Sequence, residues 1–246
     1  MKGVILAGGN GTRLLPCTKV INKHLLPVYN EPMIYYPLRT LVSAGIKEVL
    51  IVTGGNNPGD FIKLLKNGKE FGLTGINYEY QEGSRGIAQA LSLAEIFVDN
   101  EKIVVLLGDN IIEDNIKKGV EDFEKQKRGA KLFLKEVSDP ERFGVAEIRG
   151  SKIISIEEKP KKPKTKLAVT GLYMYDNCIF DVIRTLRPSD RGELEITDVN
   201  NYYIKHSDVT FETLDKYWGD AGKFDSLFEA ANYIKNKIEK REIPNG

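Results

Sequence analysis

The sequence predicts an α/β fold, with a Rossmann-like mixed, mainly parallel sheet carrying helices on both faces and a β-rich section inserted in its second half. Three observations carry this. Short aliphatic and β-branched runs alternate with helical patterns over about the first 130 residues, as repeated β-α units require. The runs 3–7, 48–53 and 102–107 are largely apolar, the mark of strands covered on both faces. From residue 130 to 175, four strand-like runs then follow one another on loops too short for a crossover helix, so that part is antiparallel or mixed.

Taken in order, strands are expected at residues 3–7, 48–53, 76–80 and 102–107, with helices at 32–44, 60–65, 87–97 and 115–125. Pro32 stands where a first helical turn tolerates a missing amide, and Gly45 stands where a left-handed residue ends the same helix. The second half reads as strands 130–137, 144–148, 152–157 and 168–175, then helices 177–185 and 197–205, a strand 209–213 and a terminal helix 223–240. Residues 1–246 read as a single domain with no internal repeat, and the only biased stretch is the lysine- and proline-rich 159–166.

The bulk numbers exclude several classes of function. With 36 basic and 35 acidic residues the net charge is +1, so no long-range field draws in nucleic acid or anionic lipid. Gly8, Gly9 and Arg13 cut short the apolar amino terminus, and no other run approaches the roughly 20 residues that cross a bilayer. Cys17 and Cys178 form neither a disulfide framework nor a zinc motif. These numbers lead to the expectation of a cytoplasmic protein without nucleic-acid or membrane partners; a homo-oligomer is expected as well, on no ground that composition supplies.

Leu6-Ala7-Gly8-Gly9-Asn10-Gly11-Thr12-Arg13 follows the first strand, and glycines there let backbone amides approach a phosphate. It is not a P-loop, which needs Gly-Lys-Ser/Thr where this chain has Gly11-Thr12-Arg13. It is a poor dinucleotide loop too, because Leu14-Leu15-Pro16 interrupts helix growth and the second strand runs into Gly54-Gly55 rather than an acid. Asp109 follows an apolar strand at its carboxyl end, where parallel sheets present reactive groups.

Beyond Arg13 the run continues through Pro16, Thr18 and Lys23 to Leu25-Leu26-Pro27-Val28. Together with Pro32-Met33-Ile34-Tyr35-Tyr36-Pro37, Gly108-Asp109-Asn110, Glu157-Glu158-Lys159-Pro160 and Gly192-Glu193-Leu194-Glu195-Ile196-Thr197-Asp198, it resembles the sugar-1-phosphate nucleotidylyltransferase family over nearly the whole chain, most of all its thymidylyl-transferring branch. The resemblance implies a nucleotide-diphospho-sugar transferase fold, with a nucleotide-binding half over about 1–130, a sugar-binding section over about 131–220 and a terminal helix over 221–246. The reaction it implies joins dTTP and glucose 1-phosphate, with Mg2+, to give dTDP-glucose and pyrophosphate; UTP- and other triphosphate-using relatives share the loop, and a sensor that has lost catalysis is the contrasting class. Long members carry extra carboxyl-terminal helices used in feedback, and a chain ending soon after Lys240 is expected to lack that control.

Residue by residue, the resemblance makes Leu6, Gly8, Gly9, Gly11, Thr12 and Arg13 the phosphate loop, with Arg13 at the leaving pyrophosphate and Lys23 near the α-phosphate. Gln81 and Gly86 would meet the base, a side-chain amide being able to pair with N3–H and O4 of thymine or uracil. Asp109 and Asp220 would hold the metal. On the sugar side stand Asn110, Gly144, Glu158, Lys159 and Val169, with Glu158 accepting from hydroxyls and Lys159 on the sugar phosphate. His24 departs from the glutamine that the branch pattern carries and receives no role.

Overall fold

The computed structural model describes the backbone of residues 1–242 and the side chains of residues 1–240; the expectation for the last few residues of 221–246 lies outside the described residues. In chain order the strands are β1 (Lys2–Ala7), β2 (Pro27–Val28), β3 (Glu31–Pro32), β4 (Glu48–Gly54), β5 (Gly75–Gln81), β6 (Ile103–Leu107), β7 (Asn110–Ile112), β8 (Ala130–Glu136), β9 (Gly144–Arg149), β10 (Lys152–Glu158), β11 (Leu167–Tyr175), β12 (Val209–Thr213) and β13 (Trp218–Asp220). The helices are α1 (Tyr35–Ser43), α2 (Gly59–Leu65), α3 (Ile87–Ser92), α4 (Glu95–Val98), α5 (Lys117–Lys125), α6 (Ile179–Thr185), α7 (Ile196–His206) and α8 (Phe224–Glu242).

The main sheet runs β10-β9-β11-β6-β1-β4-β5, with β8 beside β11 and β12 beside β8. β1, β4, β5 and β6 are mutually parallel, whereas β11 is antiparallel to β6, β8 and β9. The mixed, mainly parallel first half and antiparallel insertion therefore stand as expected. Alternate residues of β1 explain the two-sided burial. Val4 and Leu6 pack with α3, α6 and α7, while Ile5 and Ala7 pack with α1, α2 and α5. An apolar residue at every position is what a strand between two helical layers needs.

Four local expectations are corrected. Pro32 is not in the first turn of α1: Met33 N donates to Leu26 O (2.9 Å) and Ile34 N to His24 O (2.8 Å), so Pro32 stays in β3, Met33 and Ile34 form a turn into the helix, and Pro37 is the proline of the first turn. The single helix expected over 87–97 is two, α3 and α4. The ribbon formed by β7 and β13 was missed, since three residues carry too little pattern to read. The β2–β3 pair was missed for the same reason. Gly45 does end α1 as expected, with φ +91° and its N–H on Val42 O.

This topology fixes where a site can form. From β1 the chain proceeds outward through β4 and β5, then returns so that β6 lies on the other side of β1. The loops after β1 and β6 consequently diverge and leave a crevice at the carboxyl edge of the sheet, the place where open α/β sheets take ligands. β11 widens it: its pairing with β8 shifts between Val169 and Tyr173, and there Gly171 N donates to Asn110 Oδ1 (3.0 Å) instead of to a neighbouring strand.

Candidate active site

A cleft of about 310 Å³ opens over this crevice. It is lined by Leu6, Gly8, Gly9, Arg13, Lys23, Gln81, Gly86, Asp109, Asn110, Gly144, Glu158, Lys159, Val169 and Asp220, which is every anticipated site residue except Gly11 and Thr12. Gly11 has φ +60° and turns the chain away; a Cβ there would come within 2.8 Å of Thr18 and 3.2 Å of Lys23. Thr12 is exposed and starts a 3-10 turn, Thr12–Leu14. These two shape the loop, and neither is among the residues that line the cleft.

Asn22 brackets the loop from beneath. Almost fully buried, it donates to Gly54 O (2.9 Å) and accepts from both the backbone N–H and Nδ1 of His24 (3.0 and 2.9 Å). His24 is thereby buried under Gly108, where a Cβ would lie 2.7 Å from the ring. Burial, and then the Lys23 charge, push the imidazole down to about 3, so it is neutral at physiological pH. Sequence reasoning gave His24 no role; it lines the cleft as an uncharged prop beneath Asp109.

Asp109 and Asp220 meet because the β7–β13 ribbon starts next to one and ends on the other. Asp220 is the register partner of Asn110, and Ala221 N donates to Asp109 O (2.9 Å). Gly222 is at the focus: a methyl group there would sit 2.9 Å from Asp220 Oδ1, 3.1 Å from Arg13 Nη2 and 3.3 Å from Asp109 Oδ2. Lys23 Nζ reaches Asp109 Oδ2 at 2.5 Å. Burial opposes ionisation of Asp109, but Lys23, with help from Asn110, holds its carboxyl well below the usual range. For Asp220, burial and then the Asp109 charge raise the carboxyl. Arg13 is exposed and makes no ion pair with any described residue, so its charge is available to an anion in the cleft.

These residues fit a divalent cation. Two carboxylates that repel each other around the space beside Gly222 are relieved by a hard cation taking oxygen from both. Among the described residues no three His, Cys, Asp or Glu side chains converge, so the donor set suits a metal that keeps water and substrate oxygens rather than a fully caged one.

At the end of β5, Gln81 is buried against Gly8, whose Cβ would clash with its Oε1 at 2.4 Å. Its Nε2 donates to Gln89 Oε1 (2.7 Å) and Gly86 O (3.2 Å). Both amide hydrogens are therefore engaged inside the protein, and Oε1 remains to accept. Across the cleft, Glu158 and Gly144 are register partners on β10 and β9, and Glu158 Oε2 accepts from Thr197 Oγ1 at 2.5 Å. Lys159 has φ +45°, an unusual conformation for a residue with a Cβ, and its Nζ lies 3.5 Å from Glu158 Oε1. Asn110 is almost wholly buried: its Oδ1 accepts from Gly171 N and from Trp218 Nε1 (2.7 Å), and its Nδ2 donates to Asp109. It organises the ribbon, β11 and Asp109 together. Sequence reasoning missed Arg191, Thr197, Asn200 and Trp218, all of which line the cleft. The available signals were that three of the four lie in or beside the Gly192–Asp198 motif and that Trp218 lies two residues from Asp220.

The family model described as nucleotidyl transferase matches residues 2–237. A glucose-1-phosphate thymidylyltransferase of Neisseria meningitidis serogroup A is 44% identical over 96% of this chain and 83% of its own length. One from Xanthomonas campestris pv. campestris is 45% identical over 98% and 82%. Among solved structures, a provisionally assigned glucose-1-phosphate thymidylyltransferase from Bacillus anthracis, in complex with a sucrose, superposes with a TM-score of 0.90 at 51% identity, covering 100% of this chain and 97% of that one. A UDP-glucose pyrophosphorylase complexed with UDP-glucose gives 0.84 at 25% identity, over 96% and 98%.

Proposed function

The chain belongs to the nucleotidyl transferase family, and from that premise we propose that it transfers a thymidylyl group from dTTP to glucose 1-phosphate, giving dTDP-glucose and pyrophosphate. The observation that carries this reading is the convergence of Asp109, Asp220, Arg13 and Lys23 in one cleft that Glu158 and Lys159 also line. Such a cleft suits two anions that must be brought together against their mutual repulsion.

In the reaction a phosphate oxygen of the sugar 1-phosphate attacks the α-phosphorus of dTTP, forming a new P–O bond. The bond from that phosphorus to the bridging oxygen breaks, and pyrophosphate leaves with the electron pair. The attacking oxygen is already anionic, so no general base is needed; alignment and charge neutralisation carry the catalysis. Arg13, on the exposed rim and free of ion pairs among the described residues, takes the leaving pyrophosphate. Lys23, held at Asp109, sits beside the α-phosphate and balances charge as the new bond forms. Nucleotidyl transferases in general take a divalent metal; we assign it here as Mg2+ on Asp109 and Asp220, where it would neutralise phosphate oxygens. On the sugar side, Glu158 is held by Thr197 to accept from hydroxyls, and Lys159, joined by Arg191, binds the sugar phosphate. Gln81 Oε1 accepts from N3–H of the base, and its Nε2 serves O4 by exchanging its bond to Gln89. The reading carries with it a reducing, cytoplasmic setting in which exposed Cys17 and Cys178 stay free thiols, and among the described residues no helix is long and apolar enough to cross a membrane.

Pyrophosphate release measured with glucose 1-phosphate, Mg2+ and each of dTTP, UTP, CTP, GTP and ATP tests the reading. Activity should be highest with dTTP, with UTP tolerated; the base methyl, worth roughly 0.8 kcal/mol when buried, should by itself make dUTP about fourfold slower. A lead by CTP, GTP or ATP would change the nucleotide; silence with all five would point to the sensor class.

A second expectation separates the two substrates. Lys159→Ala removes a charged hydrogen bond worth about 2 kcal/mol, so kcat/KM for glucose 1-phosphate should fall roughly thirtyfold. The KM for dTTP should stay within twofold. Unchanged sugar-phosphate kinetics would show Lys159 to be an ordinary surface cation paired with Glu158.

A further inference from the structure

The Gly192–Asp198 motif runs into α7, and the first turns of that helix present two polar side chains to one face. Thr197 and Asn200 are three residues apart, which puts them side by side on a helix. Thr197 has a visible task, holding Glu158. Asn200 has half of one. Its Oδ1 accepts from Tyr175 OH at 2.5 Å, but its Nδ2 makes no hydrogen bond with any described residue. Asn200 is only 1% exposed, and every side-chain nitrogen or oxygen fully sealed in the protein has a partner. The unpaired nitrogen is therefore not sealed; it opens on the cleft that Asn200 lines beside Thr197 and Glu158.

An amide so nearly buried with a donor left over is costly unless a ligand or water completes it. Tyr175 explains why the nitrogen and not the oxygen faces outward. The phenol is fully buried and burial raises its pKa well above the ordinary value, so it remains a neutral O–H donor that captures the carbonyl end.

We propose that Asn200 is a sugar-recognition residue, its amide nitrogen donating to a ring hydroxyl of the sugar 1-phosphate while Tyr175 fixes its orientation. This rests on the reaction inferred above and extends its sugar site beyond Glu158: the carboxylate accepts from the sugar, the amide donates to it, and together they read the hydroxyl pattern with both polarities.

The test compares wild type, Asn200→Ala and Tyr175→Phe with glucose 1-phosphate and its 2-, 3-, 4- and 6-deoxy analogues, dTTP being saturating and pyrophosphate the readout. Asn200→Ala should raise the KM for glucose 1-phosphate about tenfold and leave the KM for dTTP unchanged. With one deoxy analogue, the one lacking the contacted hydroxyl, wild type and variant should become equal. Tyr175→Phe keeps the amide and loosens it, so it should show a smaller penalty, about threefold, that vanishes with the same analogue; it carries the test if Asn200→Ala does not fold. An equal penalty with every analogue, or none with glucose 1-phosphate, would overturn the proposal and leave Asn200 a structural partner of Tyr175. Wild type that turns over none of the sugar phosphates would remove the underlying reaction instead, an outcome distinct from either.

Discussion

Asp109→Asn should fold and lose roughly a thousandfold in turnover, about 4 kcal/mol of transition-state stabilisation. The substitution keeps the shape of the side chain and its bond from Asn110, and removes one charge. Three consequences follow from the geometry. The cradle at Gly222 falls from two carboxylates to one, so a divalent cation is held less tightly. Lys23 loses its 2.5 Å partner and, in a site where its own side chain is mostly buried, turns toward Asp220. Asp220, whose carboxyl is raised partly by the Asp109 charge, ionises more readily. Turnover measured across a Mg2+ titration checks this: the variant should need more Mg2+ for half-maximal rate and remain slow at saturation. Recovery of wild-type rate at high Mg2+ would reduce Asp109 to an affinity element, and wild-type rate at ordinary Mg2+ would remove it from the site.

Asp109 was legible in the sequence because an acid at the carboxyl end of an apolar strand has few structural reasons to be there. Asp220 was not legible on the same terms. Next to glycine and just before a helix it reads as a cap, and only the resemblance to a family marked it as a ligand. The structure shows why local pattern fails for it: Asp220 reaches Asp109 through the three-residue ribbon β7–β13, whose partners lie more than a hundred residues apart. The same limit hid Asn110 as an organiser and Trp218 beside it. Strands β1, β4 and β6 were legible because two helical layers demand an apolar residue at almost every position, a signal that survives without knowledge of the partners, whereas β5, half exposed at the sheet edge, was legible from its β-branched and aromatic residues. Gly11 and Thr12 illustrate the converse. A motif supplies a contiguous set of residues, whereas a left-handed turn at Gly11, with Thr18 and Lys23 packed against it, decides which of them line the cleft.

Gly86→Ala should produce the largest loss of stability and of activity together. Gly86 has φ +99°, and a Cβ built there would lie 2.4 Å from Leu194 O and 2.7 Å from Leu194 N. Both contacts are backbone, which cannot rotate away as a side-chain end would. The two segments are also tied to each other: Leu194 N donates to Arg85 O (2.9 Å) and Ala88 N to Leu194 O (3.1 Å). A methyl group forces apart the loop before α3 and the segment that leads into α7, at a cost of about 3 kcal/mol, or roughly 6–12 °C in Tm for a chain of this size. Activity should fall further than stability alone accounts for, by more than about a hundredfold. Gly86 O positions Gln81 for the base, and the displaced segment carries Thr197 and Asn200 at the sugar end, so a single Cβ disturbs both substrates. Gly59→Ala is the control, since nothing lies within 4 Å of its Cβ and it opens α2; it should be neutral or slightly stabilising. Thermal unfolding and initial rates on the two variants decide the matter. A Gly86→Ala protein with wild-type Tm and rate would mean that the two segments can separate freely, and that the cleft does not depend on their being latched at Gly86.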